Sequence, residues 1–220
     1  MDVFEFEDWG VIEYDVARQK QLERFERNLA DKIAGKAIKS CLIMCEHNPV
    51  ITFGKSADKT NVLFNATWLQ THGIAVCQTE RGGDVTFHGP EQLVVYPHFD
   101  IEQMGKGVRD YIHSIEEVII RTIRHYGIKG ERSQGFTGVW LEVGSTKERK
   151  IAAIGVKCSR GVTMHGLALN VNTDLHFFDY IIPCGITGKG VTSIEKELGH
   201  KVSMKDVKAI MKSKFEEVFA

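Results

Sequence analysis

The chain is 220 residues long, 43% hydrophobic and 26% charged, which suits one ordinary globular domain with a substantial core. With 28 basic and 29 acidic residues its net charge is -1, so no global basic field argues for nucleic acid. No apolar run approaches the roughly 20 residues that span a bilayer, and the acidic start MDVFEFEDWG lacks the layout of a secretory signal. Five cysteines at irregular spacings (Cys41, Cys45, Cys77, Cys158, Cys184) argue against a disulfide framework and for a reduced, cytoplasmic chain.

No repeat or Pro/Ser-rich linker divides the chain, so 1–220 is expected to be a single domain. Leu22, Phe25, Leu29 and Ile33 recur at helical spacing, which predicts a helix over 15–34 that stops at Gly35. SCLIMCEH reads as a buried strand, Asn48-Pro49 turns the chain, and VITFG resumes the sheet. A short helix over 66–72, closed by Gly73, precedes the strand IAVCQTE. Arg81-Gly82-Gly83 breaks that strand, and QLVVYPHF continues the sheet. Tyr111, Ile115, Val118, Ile119 and Ile123 mark one stripe of a second long helix over 108–126, with Gly127 after its end. Three strand-like runs follow, TGVWLEV, KIAAIGVK and VTMHGLALNV, the first two joined by the polar loop GSTKERK. Ser203 with Asp206 opens a C-terminal helix. The expected fold class is α+β, a mixed or largely antiparallel sheet flanked by helices.

Three places break these local rules, and such breaks tend to mark function. The first is 80–97, ERGGDVTFHGPEQLVVYP, where paired glycines let a ligand approach the main chain and Arg81 offers a charged fork. A Gly-rich turn with a satisfied histidine explains the same pattern. It is no phosphate P-loop, because no Gly-Lys-Ser/Thr follows. The second is KIAAIGVK, where Lys150 opens a strand of small apolar residues, either in a cleft or as a solvated end of the charged loop. The third is IIPCGITGKGVTS, where Cys184 lies on a Pro/Gly corner, presented rather than packed as Cys41, Cys45 and Cys77 are expected to be. Cys41 and Cys45 lack a second Cys/His pair at zinc-ligand spacing, so no metal is expected.

Taken in order, these segments resemble the acyl-carrier-protein-dependent octanoyltransferases of protein lipoylation. The matching residues are Tyr14 to Gln21, Glu46-His47-x-Pro49 with Thr52 and Gly54, RGGDVTFHGP with Gln92 and Tyr96-Pro97, Lys150-Ile151 with Ile154-Gly155, MHGLALNVN at 164–172, and Ile182-Pro183-Cys184-Gly185. The likeness runs from about residue 8 to 195. Two departures are visible: Glu91 stands where the family usually has glycine, and Arg18 stands near a usual tryptophan.

The resemblance implies a fold shared with biotin and lipoate protein ligases, no cofactor, and a catalytic dyad of Cys184 and Lys150. It implies substrate contacts from Arg81, Gly82, Gly83, Asp84, Val85, Thr86, Phe87 and His88. Ala153, Ile154, Gly155, Gly166, Leu167 and Ala168 are further expected substrate contacts; the small apolar residues Ala152, Ala153, Ile154, Leu167 and Ala168 suit an acyl chain, and backbone N–H groups near Gly155 or Gly166 would meet the thioester oxygen. The implied donor is octanoyl-acyl carrier protein. The implied acceptors are lipoyl domains of 2-oxoacid dehydrogenase subunits and the glycine-cleavage H protein. Nucleic acid and membrane are not expected as partners. The rival readings are an ATP-dependent lipoate or biotin ligase on the same fold, a thiol hydrolase pairing Cys184 with a histidine such as His165, and an inactive acyl-protein binder.

Overall fold

The computed structural model describes residues 4–182 and 188–220. Strand β1 (Glu5–Val11) pairs in parallel with β2 (Cys41–Glu46), and helix α1 (Tyr14–Ile33) connects them. Past the Asn48-Pro49 turn, β3 (Val50–Phe53) leaves for a separate three-stranded sheet. There it lies between β4 (Ala75–Gln78), which is parallel to it, and β5 (Val85–His88), which is antiparallel. Helix α2 (Ala66–Thr71) precedes β4 and is capped by the Asn65 side chain.

The chain returns to the large sheet with β6 (Gln92–His98), buried along its whole length. Helix α3 (Val108–Arg124) is followed by β7 (Glu131–Ser133), β8 (Phe136–Leu141), β9 (Arg149–Ser159) and β10 (Val162–Asn170). The order across the sheet is β1-β2-β6-β10-β9-β8-β7, and the two-residue β11 (Gly190–Val191) pairs in parallel with the start of β9. Helices α4 (Ile194–Leu198) and α5 (Met204–Phe219) close the fold. The Ser203 hydroxyl accepts from Asp206 N, the start signal expected there.

Side chains alternate across the pleat. Leu42, Met44, Leu93, Val95, Leu167 and Leu169 face α3 and α5, and with Ile115, Ile119, Met211 and Phe215 they form the main core. On the other face Cys41, Ile43, Cys45, Val94, Tyr96 and Ala168 form a smaller cluster, and Phe25 of α1 covers Val162 and Met164. The small sheet carries its own core of Ile51, Val85, Phe87, Leu69, Ile74 and Ile181. The large sheet, the small sheet and α1 therefore leave a space between them.

Two local expectations are corrected. Strand β1 was not expected: its acidic residues obscure the alternation, and it survives as an edge strand because exposed charge is tolerated, even favoured, at an edge. Cys77 is not packed inside its element. It lies half-buried on the outer strand β4, with Sγ 3.0 Å from Asp15 Oδ1.

Glu91 lies in the β5–β6 connection at φ 59°. Its N–H donates to Glu46 Oε2 at 2.9 Å, and its carbonyl accepts from Asn172 N and Thr173 Oγ1, each at 3.1 Å. A left-handed conformation costs a non-glycine residue about 1 kcal/mol, and these bonds hold it. The carboxylate turns to Lys201 at 2.9 Å and does not line the cavity described below. Glu91→Gly is accordingly expected to change stability by under about 1 kcal/mol, as relieved strain offsets added backbone freedom. Turnover is expected to stay within a few-fold of the parent. A tenfold change in steady-state rate would place this carboxylate in substrate contact.

Candidate functional site

The space between the two sheets is a cavity of about 690 Å3. The corner at 79–84 forms one wall, and hydrogen bonds fix it on three sides. Thr79 N reaches Phe53 O at 2.8 Å, Lys55 N reaches Arg81 O at 2.9 Å, and Gly82 N reaches Val156 O at 2.9 Å. Arg81 is buried, and its Nη2 donates to Thr52 O at 2.8 Å and Thr52 Oγ1 at 2.9 Å. Its fork thus holds β3, and the residue also lines the cavity. Asp84 accepts from Asn61 Nδ2 at 2.6 Å and Asp58 N at 3.0 Å, pinning the neighbouring turn.

The opposite wall is formed by β9 and β10: Ala153, Gly155, Gly166 and Ala168 lie on the open face, and Ile154 and Leu167, whose side chains alternate toward the main core, also border the space. Small residues are required here by close packing. A Cβ on Gly155 would sit 2.9 Å from Gly82 O, and one on Gly166 only 2.1 Å from Val95 O. Of the expected substrate-contact residues, Arg81, Gly82, Gly83, Asp84, Val85, Thr86 and His88 also line this space. Phe87 does not. Alternation along β5 turns its ring and the Val85 side chain into the small-sheet core, where the Phe87 ring stacks on Phe177 with centroids 4.7 Å apart.

A polar end to the cavity was not foreseen as a unit. Tyr14, Ala17, Arg18 and Gln21 share one face of α1, at the spacing i, i+3, i+4 and i+7 that could have revealed it. The Tyr14 ring stacks on His88 at 5.7 Å. His47 Nδ1 lies 2.8 Å from Ile12 O, and its Nε2 lies 2.7 Å from Tyr96 Oη. Pro97 has no N–H to offer its neighbour strand, and just there β10 leaves the β6 ladder and His165 adopts φ 61°. Gln21 Oε1 accepts from His165 N at 3.1 Å, and His165 Nε2 lies 3.7 Å from Glu80 Oε2, itself paired with Arg18.

Burial governs the charge state of these groups. It pulls His47 down to about 4 and His88 down to about 3, with the nearby His47 and Arg81 adding to the effect on His88. His165 is lowered by burial in spite of Glu80. The imidazoles at this end are neutral at physiological pH.

Lys150 stands at the start of β9, where cavity and sheet edge meet. Its Nζ lies 4.5 Å from the centroid of the Trp140 ring, a residue with no sequence signal of its own. A bulge between Val139 and Trp140 sets that register. Lys189 Nζ lies 4.9 Å from the same ring and 2.6 Å from Glu148 Oε1. Thr86, Gln92, Asn170 and Phe178 complete a small adjoining void of about 30 Å3 next to Lys150.

Cys184 lies outside the described residues. The thiols that are described are unsuited to act as nucleophiles near neutral pH. Burial pushes Cys41 and Cys77 up to about 12 and raises Cys45 and Cys158 as well. Among the described residues, no three His, Cys, Asp or Glu side chains cluster as metal ligands. The arrangement provides an apolar slot with small-residue walls, a neutral polar end and a lysine ammonium at its edge.

Residues 21–216 match the lipoyl protein ligase A/B catalytic domain family. The chain is 47% identical over 201 residues to an octanoyltransferase of Bacteroides fragilis, covering 91% of each chain. It is also 47% identical over 221 residues to one of Parabacteroides distasonis, covering 100% of each. The fold resembles a bipartite lipoate protein ligase from Thermoplasma acidophilum, with TM-score 0.72 at 14% identity, over 98% of this chain and 83% of that one. It also resembles a biotin protein ligase from Aquifex aeolicus, with TM-score 0.54 at 11% identity, over 98% and 70%. With this catalytic domain spanning nearly its whole length and octanoyltransferases close to half identical in sequence, the chain belongs to the octanoyltransferase family of acyltransferases.

Proposed function

We propose that this chain moves an octanoyl or lipoyl group from acyl carrier protein to a lysine of lipoyl domains, through a thioester on Cys184, in the cytoplasm. The acceptors are the lipoyl domains of 2-oxoacid dehydrogenase subunits and the glycine-cleavage H protein. The observation that carries this reading is Lys150, set at the mouth of a slot walled by Ala153, Gly155, Gly166 and Ala168. Family membership adds to it. Each buried methylene of an acyl chain would contribute about 0.8 kcal/mol. The short strand β11, which begins six residues after Cys184, pairs with Arg149 and Lys150.

In the first half-reaction the Cys184 thiolate attacks the donor thioester carbonyl. A C–S bond forms, the carrier's C–S bond breaks, and the carrier thiolate takes up the proton of the Lys150 ammonium, for which water can substitute, leaving Lys150 as a neutral amine able to accept the next proton. In the second half-reaction an acceptor lysine amine attacks the acyl-cysteine. The new amide nitrogen gives its proton to Lys150, and Cys184 leaves as thiolate. One thioester replaces another, so no nucleotide enters.

Mixing the protein with octanoyl-acyl carrier protein, without ATP, is expected to add one octanoyl mass on the peptide containing Cys184. Cys184→Ala is expected to abolish the adduct. Transfer that stops when ATP is removed would favour a ligase, and an adduct on another residue would overturn the Cys184 assignment.

A further inference from the structure

Gln92 and Asn170 are buried side by side on β6 and β10, directly opposite each other in register, and no step above uses them. Their orientations follow from one fixed end. A backbone carbonyl only accepts, so Asn170 Nδ2, 3.0 Å from Thr192 O, donates to it. Asn170 Oδ1 then faces Gln92 Nε2 at 2.9 Å, and that nitrogen also donates to Phe87 O at 3.2 Å. Gln92 Oε1 is left against His88 Nδ1 at 2.8 Å, and an oxygen there requires a hydrogen on the ring nitrogen. Burial, then the neighbouring His47 and Arg81, keep His88 uncharged. A neutral imidazole has one N–H, so Nε2 carries a bare lone pair on a ring that lines the cavity.

We propose that Gln92 and Asn170 are positioning residues that lock His88 in its Nδ1–H tautomer, so that its Nε2 accepts a hydrogen bond from an N–H of the substrate. The identity of that substrate rests on the acyl-transfer reading above. Two sources carry the required hydrogen: an amide of the donor's carrier arm, and the amine of the acceptor lysine. A carboxylate or ester oxygen in the same place would set lone pair against lone pair. The run of bonds ends at Thr192, whose N–H donates to Lys150 O at 2.9 Å. One chain of hydrogen bonds thereby holds the histidine and the lysine across four strands.

Nitrogen-15 NMR of the full chain, with the His88 ring assigned by its loss in His88→Phe, tests this without turnover. The expected result is hydrogen on Nδ1 in the parent and a mixture, or hydrogen on Nε2, in Gln92→Leu. Octanamide, which brings an N–H on an eight-carbon chain, is expected to shift the Nε2 resonance. Methyl octanoate, which has no hydrogen to donate, is expected to leave it in place. Gln92→Leu is expected to weaken octanamide binding about fivefold to tenfold, the effect of one hydrogen bond.

In transfer assays, a raised donor KM with a normal second half-reaction in Gln92→Leu identifies the carrier-arm amide. The reverse pattern identifies the lysine. Hydrogen on Nε2 in the parent, an unchanged tautomer in Gln92→Leu, equal shifts with both probes, or a changed tautomer with both half-reactions intact would each overturn the proposal. If Gln92→Leu does not fold, the parent tautomer and the two probe titrations decide. Failure of the parent to form an acyl adduct would count against the proposed function, while the tautomer and probe results would still be read.

Discussion

Lys150→Ala is expected to slow alkylation of Cys184 at neutral pH and to lower transfer to the acceptor by at least about a hundredfold, the lower range for loss of a general base. A free cysteine titrates near about 8.5, so only a few per cent is thiolate at pH 7. An ammonium about 4 Å away contributes at most about 4 kcal/mol at an effective dielectric of 20, which would lower the thiol by up to about 3 pH units. Without Lys150 the thiol should return toward its free value. Lys150→Arg separates charge from proton transfer. The guanidinium can stack on Trp140, where the Lys150 ammonium now lies at 4.5 Å, and it keeps its positive charge but does not release its proton. The arginine variant is expected to acylate on Cys184 and then stall, accumulating the adduct in the mass spectrum. Full turnover in Lys150→Arg would remove the base role. Unchanged alkylation in Lys150→Ala would remove the pairing with Cys184.

Much of this fold is legible because strong periodicity decides it. The stripe Tyr111, Ile115, Val118, Ile119 and Ile123 is buried in α3 as its spacing predicts. The unbroken apolar runs of β2 and β6 are buried on both faces. Elements set by tertiary context were illegible. The two residues of β11 form a strand only because β9 is there to pair with them, and the acidic β1 draws its stability from β2.

The site divides along the same line. Arg81 to Thr86, His88, and the small residues of β9 and β10 announce themselves by composition, and they lie around one cavity. Phe87 was grouped with them because a contiguous motif hides the two-residue alternation of a strand. The Gln92, Asn170 and Thr192 chain joins residues 100 positions apart, and no local pattern marks side chains whose partners are set by sheet register. Cys184 is marked by its Pro/Gly corner in the sequence and lies outside the described residues.

Between pH 7.5 and 5 the folded state is expected to lose on the order of 6 kcal/mol of stability to three buried histidines, with His165, also lowered by burial, adding to the loss. His47 titrates at about 4, and His88 and His98 at about 3, each lowered chiefly by burial, against about 6.5 in an unfolded chain. Well above pH 6.5, from about pH 7.5 upward, neither state binds the protons, and stability does not depend on these groups. Below it the unfolded chain takes up protons that the folded chain refuses. Each histidine then costs about 1.4 kcal/mol per pH unit until its folded value is reached. The direction is therefore loss on acidification, and the loss is large against a total of about 5–15 kcal/mol. Urea denaturation at pH 7.5, 6 and 5 measures it as a falling midpoint. His98 gives the clean control, since it is fully buried and neither ring nitrogen has a hydrogen-bond partner among the described residues. His98→Leu removes no hydrogen bond, so it is expected to hold stability at pH 7.5 within about 1.5 kcal/mol. It is also expected to flatten the acid slope by about a quarter to a third, as one of the buried imidazoles that also include His165. A midpoint constant from pH 7.5 to 5, or a slope unchanged in His98→Leu, would show that these imidazoles are protonated inside the fold.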